Sequence, residues 1–240
     1  MRTVNFILIA LSLFLSSCVY NFGKKVKGNG NTTSTTRTPG EFSKLEQKGS
    51  FNIVIKNGPR HEVFLEGEDN ILQHIETNIE GNTIVIRSEQ GFNLRPIREV
   101  NIIVTSPDFE SVYTLGSGNI NSESVITDST GMEMGTKGSG DINVQVQCPE
   151  LELYSYGSGN VKVSGQTRSI KMESAGSGNL EAIDLKTETA SIEIKGSGNA
   201  SVEASRSLDI SVMGSGDVSY KGNPSVKSNI RGSGNVKKVD

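Results

Sequence analysis

Between residues 110 and 240 apolar and polar side chains alternate with a period of two, the period of a β-strand. The alternation is punctuated by a tetrad, GSGN or GSGD, that starts at Gly116, Gly138, Gly157, Gly176, Gly196, Gly214 and Gly232, at intervals of 22, 19, 19, 20, 18 and 18 residues. With the first glycine as position zero, position plus four is apolar in every copy: Ile120, Ile142, Val161, Leu180, Ala200, Val218 and Val236. Position minus four reads Val112, Met134, Leu153, Met172, Ile192 and Ile210, and only Ser228 departs from it. Even positions therefore share a face. One unit makes two short strands that cannot bury this face alone, whereas units stacked at the strand spacing of roughly 4.8 Å shield one another. The expected fold is all-β, a right-handed parallel β-helix (β-solenoid), since crossovers between parallel strands prefer that hand.

The tetrad reads as a corner. Glycine at zero (Gly116, Gly138, Gly157, Gly176, Gly196, Gly214, Gly232) and at plus two (Gly118 in the first copy) suits backbone with positive φ or a place with no room for a side chain. Position plus three is Asn119, Asp141, Asn160, Asn179, Asn199, Asp217 and Asn235, a row whose side chains can hydrogen-bond from coil to coil. Glycine-rich solenoids with aspartate also bind calcium, but five of these seven residues are neutral and the two carboxylates stand four coils apart. No cofactor is expected, and a phosphate cradle lacks its Lys-Ser/Thr.

Upstream of the repeat, residues 41–109 carry alternating strand signals without the GSGN tetrad and read as a divergent N-terminal β end piece of one continuous domain, 41–240. Asp69 to His74 could form a short helix with Asp69 as N-cap. Residues 19–40, rich in Gly, Asn, Thr and Lys, read as a flexible tether in which Lys24, Lys25 and Lys27 form a basic patch. Residues 1–18 combine Arg2, an apolar run from Val4 to Leu15 and Leu15-Ser16-Ser17-Cys18. This is an export signal ending in what looks like a bacterial lipobox, with lipidation at Cys18, or in an ordinary cleavage site nearby.

Composition narrows the function. Aromatics are 5%, Trp is absent, and the net charge is -3, so a core of large rings is not expected and nucleic acid is not a partner. His61 and His74 lack ligand-spaced companions, and Cys148 reads as a buried spectator. Glu173, Glu193, Lys137 and Lys195 alternate in sign like a solvated face, although enzymes built on β-helices do collect such groups. The odd positions before the tetrad should face outward. They set Tyr113 with Leu115 and Tyr154 with Tyr156, extended by Ala175 and Met213, either as a binding patch or as a surface covered by a loop or the tether. Lys237 and Lys238 would discourage self-association through the last coil.

The opening GSFNIVIKNG at 49–58, VNIIVTSPDFESVYTLGSGNI at 100–120 and the later tetrads resemble the putative auto-transporter adhesin head GIN domain family, common in lipoproteins of Bacteroidetes, over about residues 41–235. The resemblance implies a right-handed β-helix in the cell envelope without catalytic residues. The resulting expectation is an outer-membrane lipoprotein, on the periplasmic face or the cell surface, whose solenoid binds a glycan or protein partner. The alternative is an envelope polysaccharide-processing enzyme.

Overall fold

The computed structural model describes residues 23–240; the expected signal segment 1–18 with its Cys18, and residues 19–22, lie outside the described residues. The strands, in chain order, are β1 (Lys24–Lys27), β2 (Thr32–Arg37), β3 (Lys44–Lys48), β4 (Asn52–Asn57) and β5 (Glu62–Glu68). A single helical turn, α1 (Asp69–Leu72), precedes β6 (Ile75–Glu80), β7 (Thr83–Ser88), β8 (Phe92–Arg95) and β9 (Asn101–Ser106). The repeat supplies β10 (Ser111–Thr114), β11 (Ile120–Thr127), β12 (Met132–Thr136), β13 (Ile142–Ser155), β14 (Val161–Ser174), β15 (Leu180–Lys186) and β16 (Thr189–Ile194). It continues through β17 (Ala200–Glu203), β18 (Ser207–Gly214), β19 (Val218–Lys221), β20 (Ser225–Gly232) and β21 (Val236–Lys238).

These strands stack as parallel coils of a β-solenoid. Sheet one, before the tetrads, runs β7, β3, β10, β12, the second halves of β13 and β14, β16, β18 and β20. Sheet two, after them, runs β9, β4, β11, the first halves of β13 and β14, β15, β17, β19 and β21. The even positions face inward as the alternation requires: Ile120, Ile142, Val161, Leu180, Ala200 and Val218 are all buried, as are Val112, Met134, Leu153, Met172, Ile192 and Ile210. Each apolar column is closed by the coil above and below it.

The tetrads form one file at the corner between the sheets. The serine N–H of each copy donates to the first-glycine carbonyl of the copy before, at 3.0 Å for Ser139 to Gly116, Ser158 to Gly138 and Ser177 to Gly157. The glycine requirement is one of space. A Cβ on Gly138 or Gly157 would overlap the glycine carbonyl one coil below, while φ is positive at position zero only in Gly214 and Gly232. The aspartate and asparagine row hydrogen-bonds as the spacing suggests, through side-chain oxygen to backbone. Asp141 N–H donates to Asn119 Oδ1 at 2.9 Å, Asn160 to Asp141 at 2.7 Å, Asn179 to Asn160 at 3.0 Å and Asn199 to Asn179 at 2.9 Å. The serines face solvent, and the second glycines are buried in every copy but the last.

Behind the corner runs a buried hydroxyl column at position minus two. Thr114, Ser155 and Ser174 are fully buried, and each donates to the second-glycine carbonyl of its own tetrad, at 2.9, 3.1 and 3.3 Å. Buried carbonyls need such donors. Thr136, in the same column, has no partner for its hydroxyl.

The end piece is more regular than expected. GSFN at 49–52 is a further tetrad: Ser117 N–H donates to Gly49 O at 2.8 Å and Asn119 N–H to Asn52 Oδ1 at 3.3 Å. The chain winds β3–β4, leaves the file, builds the lower coil β7–β9, and returns above β3–β4 as β10–β11. Antiparallel strands β6 on β7 and β5 on β9 close this lower end, and β2 pairs with β5. Rings absent from the repeat core appear here, where Phe42, Phe51 and Phe109 are buried.

Two expectations for the N-terminal part are corrected. Residues 24–40 are not a tether: β1 pairs with β8, β2 pairs with β5, and side chains staple the segment between them. Glu68 rather than Asp69 is the N-cap residue of α1, with no capping bond from its side chain, and Asp69 instead accepts from Asn29 Nδ2 at 2.6 Å. The Glu68 carboxylate is fully buried and accepts from the N–H groups of Gly30 at 2.7 Å, Ile97 at 2.7 Å and Arg98 at 3.3 Å. Burial alone would raise its pKa; the three N–H donors and the Arg98 charge outweigh that and hold it below the ordinary carboxylate value.

Candidate binding face

The outer face of sheet one brings the predicted tyrosines together in unequal states. In register along the stack, Tyr113 on β10 is followed by Gly135 on β12, Tyr154 on β13 and Glu173 on β14. Gly135 leaves a notch: a Cβ there would strike the Tyr113 ring and meet Tyr154. Tyr113 lies down against this notch, its hydroxyl on the Glu133 carboxylate and Lys137 Nζ 4.8 Å above its ring, and is only 9% exposed. The expectation of an outward-presented Tyr113 is therefore corrected, because its own neighbours cover it. Leu115 is half-buried.

Tyr154 and Tyr156 remain as a surface pair. Their rings stack with centroids 5.7 Å apart at 20°, and Tyr156 is 42% exposed. Lys171 Nζ sits 5.5 Å from the Tyr154 ring centre, and the Tyr154 hydroxyl bonds the Glu152 carboxylate. Burial first, then the Glu152 contact, pushes the Tyr154 hydroxyl up to about 12, and burial raises Tyr156 and Tyr113 in the same direction. All three stay neutral hydroxyls at physiological pH, suited to stacking and hydrogen bonding. Around them Lys195 pairs with Glu193 at 2.8 Å and Glu173 at 3.9 Å, and Lys171 with Glu152 at 3.5 Å, so these charges are spent on one another.

A groove of about 580 Å³ lies at the opposite corner, over Cys148, Thr167, Thr187 and Ser205. Its acids Asp128, Glu188 and Glu203 share it with Arg168 and Lys186. Asp128 is occupied by Thr130 and Gly131 N–H at 2.7 and 2.8 Å, and Glu188 by Arg206 at 3.6 Å. The register from Thr127 through Gln147 and Gln166 to Lys186 puts Asp128 and Glu188 about three coils, roughly 14 Å, apart, beyond the separation of a glycosidase carboxyl pair. Cys148 is a free, buried thiol, pushed up to about 11 by burial. His74 bonds Glu89 at 2.6 Å and stacks on Phe92, while His61 lies against Phe42. Among the described residues no group of His, Cys, Asp and Glu is arranged to hold a metal ion.

Residues 41–224 match the family described as "Putative auto-transporter adhesin, head GIN domain". The chain belongs to this family. The GIN domain superposes on a solved structure described as a putative adhesin from Bacteroides fragilis NCTC 9343, with TM-score 0.84 and 25% identity, over 89% of this chain and 100% of that one. A Parabacteroides distasonis ATCC 8503 structure described as a putative lipid binding protein gives TM-score 0.74 and 25% identity, over 90% and 100%. A putative adhesin from Parabacteroides merdae ATCC 43184 shares the fold at TM-score 0.72 and 16% identity, over 90% and 100%. No curated protein matches the chain. The GIN domain thus has an adhesin-like architecture of a kind found in cell-envelope or surface proteins.

Sequence reasoning missed Gly135 and Glu68. The first is the one residue without a side chain in the minus-three row, which otherwise carries Tyr, Glu, Ser or Asn, and that was the available signal; the second is one carboxylate among many, and nothing local distinguishes it.

Proposed function

We propose that the chain is a non-catalytic binding module of the cell envelope, anchored in the outer membrane through an acylated Cys18, and that it engages a glycan or protein partner through the outer face of sheet one. The observation that carries this reading is the stacked pair Tyr154–Tyr156, with Tyr156 open to solvent on a flat sheet whose surrounding charges are mutually paired. Stacked, neutral tyrosines offer broad apolar faces with polar rims at little entropic cost on binding, as suits sugar rings and protein hot spots. The adhesin descriptions of its relatives support the same reading.

Tyr154→Ser with Tyr156→Ser, assayed on a glycan array and by pull-down from envelope extract, should lose the retained partner while the melting temperature stays within a few degrees. Retention of the partner by the folded double variant would refute the assignment. Replacing Cys18 with Ala should abolish acylation, read directly by mass spectrometry of the N-terminal peptide.

A further inference from the structure

The structure stiffens the segment that leads to Cys18, and this changes what faces the membrane. From Lys24 onward the chain is fixed to the domain. β1 pairs along its length with β8, Gly28 N–H donates to Arg95 O at 2.9 Å, Asn70 Nδ2 to Lys27 O at 2.8 Å, and Gly30 N–H to buried Glu68. Four residues lie between Cys18 and Gly23, and the five Cα steps reach at most about 18 Å.

The edge at which this short connection arrives is basic. Lys24, Lys25, Lys27, Arg95 and Arg98 are all exposed, and among the described residues none of them makes an ion pair. Val26 and its register partner Leu94 pack on the core, so the alternation turns Lys25, Lys27, Asn93 and Arg95 outward together. Next to them, in the loop whose N–H groups are held by Glu68, Ile97 is 59% exposed, more than any other exposed large hydrophobic side chain among the described residues. Some lysines elsewhere pair with carboxylates across the coils, as Lys171, Lys195 and Lys227 do, and the whole chain carries a net charge of -3. Five cations without an ion pair thus lie together at this edge, around a protruding isoleucine.

We propose that this edge is a membrane-docking surface: Lys24, Lys25, Lys27, Arg95 and Arg98 meet anionic phospholipid headgroups while Ile97 enters the interface. The proposal rests on the reading of Cys18 as an acylated anchor. Each basic residue near an anionic bilayer strengthens partitioning roughly fivefold, an effect screened by salt. The acyl chains would hold the protein and the edge would orient it, with the solenoid rising from the membrane.

The test uses the full-length acylated protein in vesicles of phosphatidylcholine alone or mixed with phosphatidylglycerol, carrying a headgroup-borne quencher. A fluorophore is placed at Asn93→Cys or, at the far end of the solenoid, at Ser233→Cys. With phosphatidylglycerol present the probe at 93 should be quenched at least threefold more than the probe at 233. Lys25→Glu with Lys27→Glu and Arg95→Glu, or high salt, should remove most of that difference while the protein still floats with the vesicles. Flotation with equal quenching at both positions, or a difference indifferent to charge reversal, overturns the docking surface and leaves the anchor standing. An unacylated Cys18 by mass spectrometry overturns the anchor reading, and with it the geometry on which docking depends.

Discussion

From Gly116 onward each coil rests on the last by glycine against glycine, with an asparagine row outside the corner and aliphatic columns inside it. Below that point the same winding is held by other means. Phe42, Phe51 and Phe109 fill the core, antiparallel strands close the column, and a buried carboxylate ties down the incoming chain. The repeat can be extended by copying because every level offers the next the surface it was given. The end piece must stop the pattern, and stopping it takes residues that occur once. The difference teaches that regularity here reports architecture, whereas singular residues report where the molecule meets something else.

The sharpest break of this comparison lies in the end piece. Phe109→Ala removes a fully buried ring and should cost about 3 to 5 kcal/mol by urea unfolding; a loss below about 1 kcal/mol would mean the rings do not carry this end. In the repeat, Gly157→Ala should cost about 3 kcal/mol, since the added methyl overlaps the Gly138 carbonyl and the parallel coils must part to admit it. A neutral result there would refute space as the reason for glycine at this corner.

Glu68 provides a pH handle on the end piece alone. Its folded pKa lies below its unfolded value, so its contribution is complete above the unfolded carboxylate range near pH 4.5 and is lost as pH falls through the lowered folded value. Hydrogen-exchange protection of the Gly30 and Ile97 amides should therefore fall in acid before that of the tetrad amides. Glu68→Gln should show the low protection already at neutral pH. Equal acid responses at both ends would refute this. A smaller effect is expected for Asn179→Ala, about 1 kcal/mol, from the loss of its side-chain bonds, Nδ2 to Asn160 Oδ1 and Oδ1 from the Asn199 N–H. Smallest of all, Lys237→Thr with Lys238→Thr should change stability by less than about 0.5 kcal/mol but promote self-association in sedimentation, through the last coil, where these lysines lie on the edge strand β21. An unchanged monomer would argue against that role for the lysines.

The repeat was legible because its cause is periodic: Ile142, Val161 and Leu180 recur at one offset, and a stack is the way such short strands can bury them. The corner's glycines were legible as a corner, although the sequence left space and φ as equal explanations until the Gly138 carbonyl was seen against Gly157. GSFN at 49–52 escaped notice because its second glycine is Phe51 and the next tetrad begins 67 residues later (116 − 49). Residues 24–40 looked like a tether for a related reason. Thr32–Arg37 pairs through its backbone, and a strand of exposed threonines leaves no apolar trace in composition. At the candidate site, Tyr154 and Tyr156 were placed on the correct face, but the cover over Tyr113 depends on Gly135 and Lys137 in the neighbouring coil, a relation between levels that spacing alone does not reveal.

Registered stacking of the tetrads is best measured by pulsed electron-electron distances between nitroxides on their exposed serines. Starting from Ser117→Cys, the partner is moved in turn to Ser139, Ser158, Ser177, Ser197, Ser215 and Ser233, with Cys148 protected by burial. The mean distance should lengthen by a constant increment of roughly 4.8 Å per tetrad, reaching about 29 Å of axial separation between Ser117 and Ser233. Distances that fail to grow in step with the number of intervening copies would contradict the solenoid and every assignment built on its faces.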